Sequence, residues 1–168
     1  MNLKITRFLM KAYLTLRKLW DPLTKPTKVE NEYNCSMDQF SKRINSFEYK
    51  PDPLNGLLDH TADPNKFFDN TRESGRDCDD FQRQWSWWGK YNGYKSYEYV
   101  ICDPSTIKKA FSTMHVIGTL QDEKTGHWFL TNYKSYGPFV LEEDALLYMA
   151  NFPSYSENRT IVKYREVK

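Results

Sequence analysis

A chain of 168 residues with 16% aromatic side chains is long enough to bury one core without staples and too aromatic to be disordered. Its formal charge of +2 conceals a split: residues 1–28 carry seven Lys/Arg against the single acid Asp21, which leaves 17 of the 24 basic and 21 of the 22 acidic residues to the remainder. That balance excludes a globally basic nucleic-acid binder, and no apolar run reaches the roughly 20 residues needed to span a bilayer.

Residues 2–20 place Ile5, Phe8, Leu9, Ala12, Leu16, Leu19 and Trp20 at helical spacing, with Lys4, Arg7, Lys11 and Lys18 off that stripe. Lys11 interrupts the apolar stretch and no small-residue cleavage site follows, so the segment does not read as a signal peptide. Together with three cysteines in no disulfide or metal-ligand spacing, this predicts a soluble, cytoplasmic protein. "DPLTKPTK", 21–28, stops the helix with two prolines. The boundaries that follow are a basic amphipathic helix with linker over 1–28 and one domain over 29–168. A helix of this kind lies on an anionic membrane surface, in the groove of a partner protein, or on its own domain.

Ser36 is a cap candidate for a second helix over 36–49, with Met37, Phe40, Ile44 and Phe47 on one side. Residues 50–76, rich in Pro, Asp, Asn and Gly, read as loop with one short helical turn. From Asp77 to about Trp88 a third helix is expected. Asp77 would cap it, Asp79 and Asp80 would suit its first turn, Gly89 would end it, and Phe81, Trp85 and Trp88 would form its buried face. The period then changes. Strands are expected over 95–104, 110–121 and 126–135, the last two around the turn "DEKTG". A helix over 141–152 and an alternating strand over 159–167, suited to a sheet edge by its Lys and Arg, complete the chain. Helices first and an antiparallel sheet after them define an α+β fold.

Cys78 falls in the first turn of its helix, where the amides and the positive end of the macrodipole favour thiolate. A nucleophilic cysteine needs a base and a group to orient it. His60 sits in the Asp/Pro loop and His127 at a turn, whereas His115 interrupts an apolar strand, where a polar ring requires a partner. Asn132 interrupts the following strand in the same way. A four-residue loop at 122–125 would set His115 opposite Asn132 on one face. Cys, helix, strand His, strand Asn is the chain order of papain-like and transglutaminase-like enzymes.

The motif Arg76-Asp77-Cys78-Asp79-Asp80-Phe81, with Gly75 one place earlier and an Asp- and Pro-containing stretch before it, resembles the Gly-Asp-Cys-(Asp/Glu)-Asp-(Tyr/Phe) signature of the bacterial transglutaminase-like cysteine proteinase family. His115-Val116 resembles that family's His-(Ala/Met)-Val without the middle residue, and Leu130-Thr131-Asn132 resembles Leu-Asp-Asn with Thr131 in place of Asp. The resemblance covers about residues 36–135. It implies a transglutaminase-like (papain-like) fold and a cysteine-dependent hydrolase or acyl-transferase, peptidase-like in character, acting on a protein or peptide substrate. Cys78 would be its nucleophile, His115 its base and Asn132 the residue that orients the ring. No cofactor is required by such chemistry. Some members bind calcium through acids beside the nucleophile, which would map to Asp77 and Asp79. The family's distribution also points to a phage-encoded member working in a bacterial cytoplasm. The alternative is a catalytically inactive member serving as an interaction or structural protein. The aromatic run after Trp85 is accompanied by too few cations to serve as a nucleic-acid stacking platform.

Overall fold

The computed structural model describes residues 3–20, 26–27, 32–50, 64–68, 76–152 and 159–167. Most of the expected linker and of the Asp/Pro loop, including His60, lies outside them. The elements are α1 (Leu3–Trp20), α2 (Met37–Ile44), α3 (Pro64–Phe67), α4 (Cys78–Tyr91), β1 (Tyr94–Cys102), α5 (Ile107–Ser112), β2 (His115–Asp122), β3 (Trp128–Thr131), β4 (Ser135–Phe139), α6 (Glu142–Ala150) and β5 (Thr160–Val167). Helices thus precede a five-stranded antiparallel sheet of order β4-β3-β2-β1-β5, an α+β fold with β5 at one edge.

Alternation along the strands separates two cores. Val100, Val116 and Leu120 face α4 and its neighbours, while Ile101 and Ile117 face the opposite way with Ala145 and Met149 of α6. The α4 face is built from rings: Phe40, Phe67, Phe81, Trp85 and Trp88 are all buried there. Phe40 meets Trp85 edge-on at 4.9 Å, and Phe67 meets Phe81 at 5.1 Å. Such pairs add direction to what area burial alone supplies.

Several boundaries differ from those expected. α2 begins at a Ser36–Gln39 capping box but ends at Ile44, where Asn45 turns its side-chain amide back to the Ser41 carbonyl. α4 continues through Gly89 to Tyr91. Gly89 does not stop the helix but lets β2 close on it, since a Cβ there would lie 2.5 Å from Leu120 Cδ2. The stop comes at Asn92, bonded to the Trp88 carbonyl, followed by Gly93 at φ +81°. The strand expected over 110–121 begins only at His115. Residues 110–112 close the short helix α5, whose first turn is capped by Thr106 Oγ1 accepting the Lys109 N–H. The strand expected over 126–135 is two strands, β3 and β4, separated by bends at 132–134.

α1 packs on the same body as the rest of the chain, but not through the stripe that its spacing suggests. Met10 lies against Cys102 and Ala110, and Leu14 against Val100, Val116 and Tyr164. Thr6 and Arg17 complete the buried face, whereas Ile5, Phe8, Leu9, Leu16 and Leu19 are exposed.

Candidate active site

The site forms where the N-terminus of α4 meets the start of β2. Asp77 sits at the cap with its carboxylate accepting the Asp79 N–H at 3.3 Å, and this fixes Cys78 as the first helical residue. Cys78 is partly buried, packed beside Leu14, Val100, Val116 and Tyr164, and its Sγ accepts the Val116 N–H at 3.4 Å. The thiol therefore lies against the second residue of β2, one residue from His115.

Arg76 anchors the approach to this turn. Its Nε donates to the Phe67 carbonyl at 2.9 Å, and its guanidinium lies 4.7 Å from the Phe47 ring centroid. Its backbone pairs with Lys50 in an isolated bridge. Arg76 thus pins the chain ahead of α4.

His115 is the first residue of β2. The β2–β3 ladder runs only from Gln121↔Trp128 to Gly118↔Thr131, so β3 has already ended where His115 begins. This register differs by two residues from one that sets His115 directly opposite Asn132, because six residues rather than four lie outside the ladder at the turn. A shift of two keeps the facing parity, and Asn132, in the bend after β3, turns back so that its Oδ1 lies 2.9 Å from His115 Nε2. Oδ1 can only accept, so Nε2 carries the proton and Nδ1 is the basic nitrogen. The ring also lies 5.8 Å from that of Tyr133, which meets Phe81 of α4 at 5.1 Å. Through Tyr133 the imidazole is tied to the helix that begins with Cys78. Burial lowers the pKa of His115, while the Asn132 contact and the charge of Asp79 pull it partly back. The imidazole is held neutral at neutral pH, the form a general base requires.

The two acids have structural partners. Asp79 forms a buried ion pair with Arg17 of α1, Nη2 to Oδ2 at 2.7 Å. Asp77, Cys78 and Asp79 bring one ligand atom each within 4.8 Å of one another. Calcium takes six to eight hard oxygens. Here the third donor is a thiol, a guanidinium already neutralises Asp79, and Asp77 is engaged as a cap. Among the described residues this donor set is short of the hard oxygens that calcium takes.

Thr131, which precedes Asn132, is fully buried. Its hydroxyl donates to Gln82 Oε1 at 3.0 Å, and Gln82 Nε2 in turn donates to Ser86 Oγ at 3.3 Å. Position 131 thus faces α4 and its polar core, not the imidazole. Three residues of the site are not evident from motifs: Arg17, Gln82 and Tyr133. For Arg17 a signal exists, since Thr6, Met10, Leu14 and Arg17 also recur at helical spacing.

No protein-family model, curated protein or solved structure matches the chain. None of its helices, among the described residues, is long and apolar enough to cross a membrane.

Proposed function

We propose that the chain is a transglutaminase-like cysteine hydrolase or acyl-transferase acting on a protein or peptide substrate. The observation that carries this reading is the His115 Nε2–Asn132 Oδ1 contact at 2.9 Å beside a helix-start cysteine whose sulfur touches the amide of Val116. Cys78 gives its proton to Nδ1 of His115 as sulfur attacks the carbonyl or carboxamide carbon. The tetrahedral intermediate collapses with cleavage of the C–N bond, and the imidazolium returns the proton to the departing amine. Water or a second amine then attacks the thioester carbon, with His115 again taking a proton, and the thiol is released. Asn132 orients the ring throughout. The Cys78 N–H, at the N-terminus of α4, would stabilise the oxyanion.

The other two cysteines support the choice of nucleophile. Burial raises the thiol pKa of both Cys35 and Cys102, and the charge of Asp103 raises that of Cys102 further. Both therefore make poor thiolates. The second reading keeps the fold without catalysis. It is favoured by the burial of Thr131, which leaves an amide rather than a carboxylate on the imidazole and so stabilises an imidazolium less.

Alkylation by iodoacetamide with mass-spectrometric site mapping tests the proposal. Cys78 should react faster than Cys35 and Cys102, His115→Ala should slow it by at least about tenfold, and Cys78→Ala should abolish the fast phase. An undiminished fast phase in Cys78→Ala overturns the assignment. A Cys78 rate unaffected by His115→Ala favours the non-catalytic reading.

A further inference from the structure

The packing of α1 leaves its most apolar surface turned outward. Thr6, Met10, Leu14 and Arg17, spaced by four, four and three residues, form the face seated on the sheet. Roughly opposite them on the helix run Ile5, Phe8, Leu9, Leu16 and Leu19. Ile5 is 49% exposed, Phe8 70%, Leu16 58% and Leu19 76%. Exposed leucines are common singly, but a continuous stripe along about four turns of one helix is not.

The charges on the same helix are arranged around that stripe. α1 contains no acidic residue. Lys4, Arg7, Lys11 and Lys18 are exposed and run along one flank, between the stripe and the seated face. On that flank a cleft of about 640 Å³ opens between α1 and the edge strand β5, lined by Lys4, Arg7, Lys11 and Lys163 together with the buried Met10 and the partly buried Ile161. A convex apolar ridge beside a cationic cleft is complementary to a surface that is hydrocarbon below and anionic above.

We propose that α1 lays its outward stripe in the interface of an anionic membrane, with the lysines and arginine of the cleft on the lipid headgroups. An interfacial helix of this kind buries its apolar face at the boundary of headgroups and acyl chains and holds Lys and Arg at headgroup level. The seated face on the far side of α1 keeps the remainder of the domain off the membrane. A bilayer fits better than a protein groove because the stripe is convex and uniformly apolar, and because every charge on the helix is of one sign. This inference stands independently of the chemistry at Cys78.

Co-sedimentation of the full chain with vesicles tests it. Vesicles of phosphatidylcholine with about 30 mol % phosphatidylserine should bind at least about tenfold more tightly than pure phosphatidylcholine, and raised salt should weaken the difference. Phe8→Glu with Leu16→Glu should abolish binding at unchanged thermal stability, since both side chains are exposed. Lys4→Glu with Lys11→Glu should remove the preference for the anionic lipid. Cys78→Ala should bind as the unaltered chain does. No binding to the anionic vesicles, or equal binding to both kinds, overturns the proposal. So does a lipid-free dimer that Phe8→Glu with Leu16→Glu dissociates, which would assign the stripe to a second copy of the chain.

Discussion

Arg17, in the last turn of α1, holds the carboxylate of Asp79 at 2.7 Å, so the acid next to the candidate nucleophile is neutralised from 62 residues away in sequence. Both side chains are buried. The pairing explains why a thiol flanked by acids is tolerable: the negative charge nearest to it on the helix already has a counter-ion. It also makes α1 part of the site's construction.

Removing one partner of a buried pair leaves the other charge uncompensated. Arg17→Ala should therefore destabilise the fold by about 3–5 kcal/mol, read from urea denaturation. Arg17→Met combined with Asp79→Leu should recover most of that loss. An Arg17→Ala protein with unaltered stability would mean that Asp79 is hydrated there.

The pH dependence follows from His115, whose pKa is lowered by burial from its ordinary 6.5. Above that value the ring is neutral in both the folded and the unfolded chain and contributes no pH dependence. As the pH falls below about 6.5, the unfolded chain takes up the proton first, so stability falls until the folded ring also titrates. His115→Gln should flatten the stability profile in that window. The Asn132 contact raises the pKa, so Asn132→Ala should move the NMR titration midpoint of His115 further down.

Thr131→Asp, which places a carboxylate next to Asn132 in sequence, should fail to improve the site. The carboxylate would face Gln82 Oε1 in a fully buried position. A loss of at least about 2 kcal/mol in stability is expected, with no acceleration of Cys78 alkylation. A faster reaction would show that a side chain at 131 reaches His115.

Gly118→Ala should be costly for a related reason. A Cβ at that position would stand 1.9 Å from Gln82 Nε2, and Gln82 cannot swing away without breaking its bonds to Thr131 and Ser86. A penalty of about 1–3 kcal/mol is expected, seen as a lower melting temperature. An unchanged melting temperature would show that the Gln82 network is replaceable.

The longer helices and the α+β order were legible because they rest on local signals: the Ser36 cap, the Asp77 cap, and Phe81, Trp85 and Trp88 at helical spacing, whereas the short α5 was hidden in an apparent strand. The pairing of His115 with Asn132 was legible as a shared peculiarity, two polar residues each breaking an apolar strand. What was not legible depended on tertiary distance. Gly89 reads as a stop by local rules, whereas its lack of a Cβ serves the approach of Leu120. The division of 126–135 into β3 and β4 follows from the bend at Asn132, which no glycine or proline announces. In α1 the larger apolar stripe outweighs the seated one on any periodicity count. The smaller set wins because Met10 and Leu14 fit against Cys102, Val100 and Tyr164 while Arg17 meets Asp79.

The seat of α1 also imposes an order of events on the growing chain. Arg7 donates to Thr160 Oγ1 across a separation of 153 residues, and Tyr164 of β5 packs against Leu14. The helix is synthesised before β5, yet its resting place is completed only when β5 has joined the sheet. During synthesis the helix must therefore wait with both of its faces uncovered. Contacts this distant in sequence form late and slowly, so a surface that captured α1 during that interval would meet Met10 and Leu14 as well as Phe8 and Leu16. The docked arrangement of α1 therefore depends on the completion of β5, the last strand of the sheet to be made.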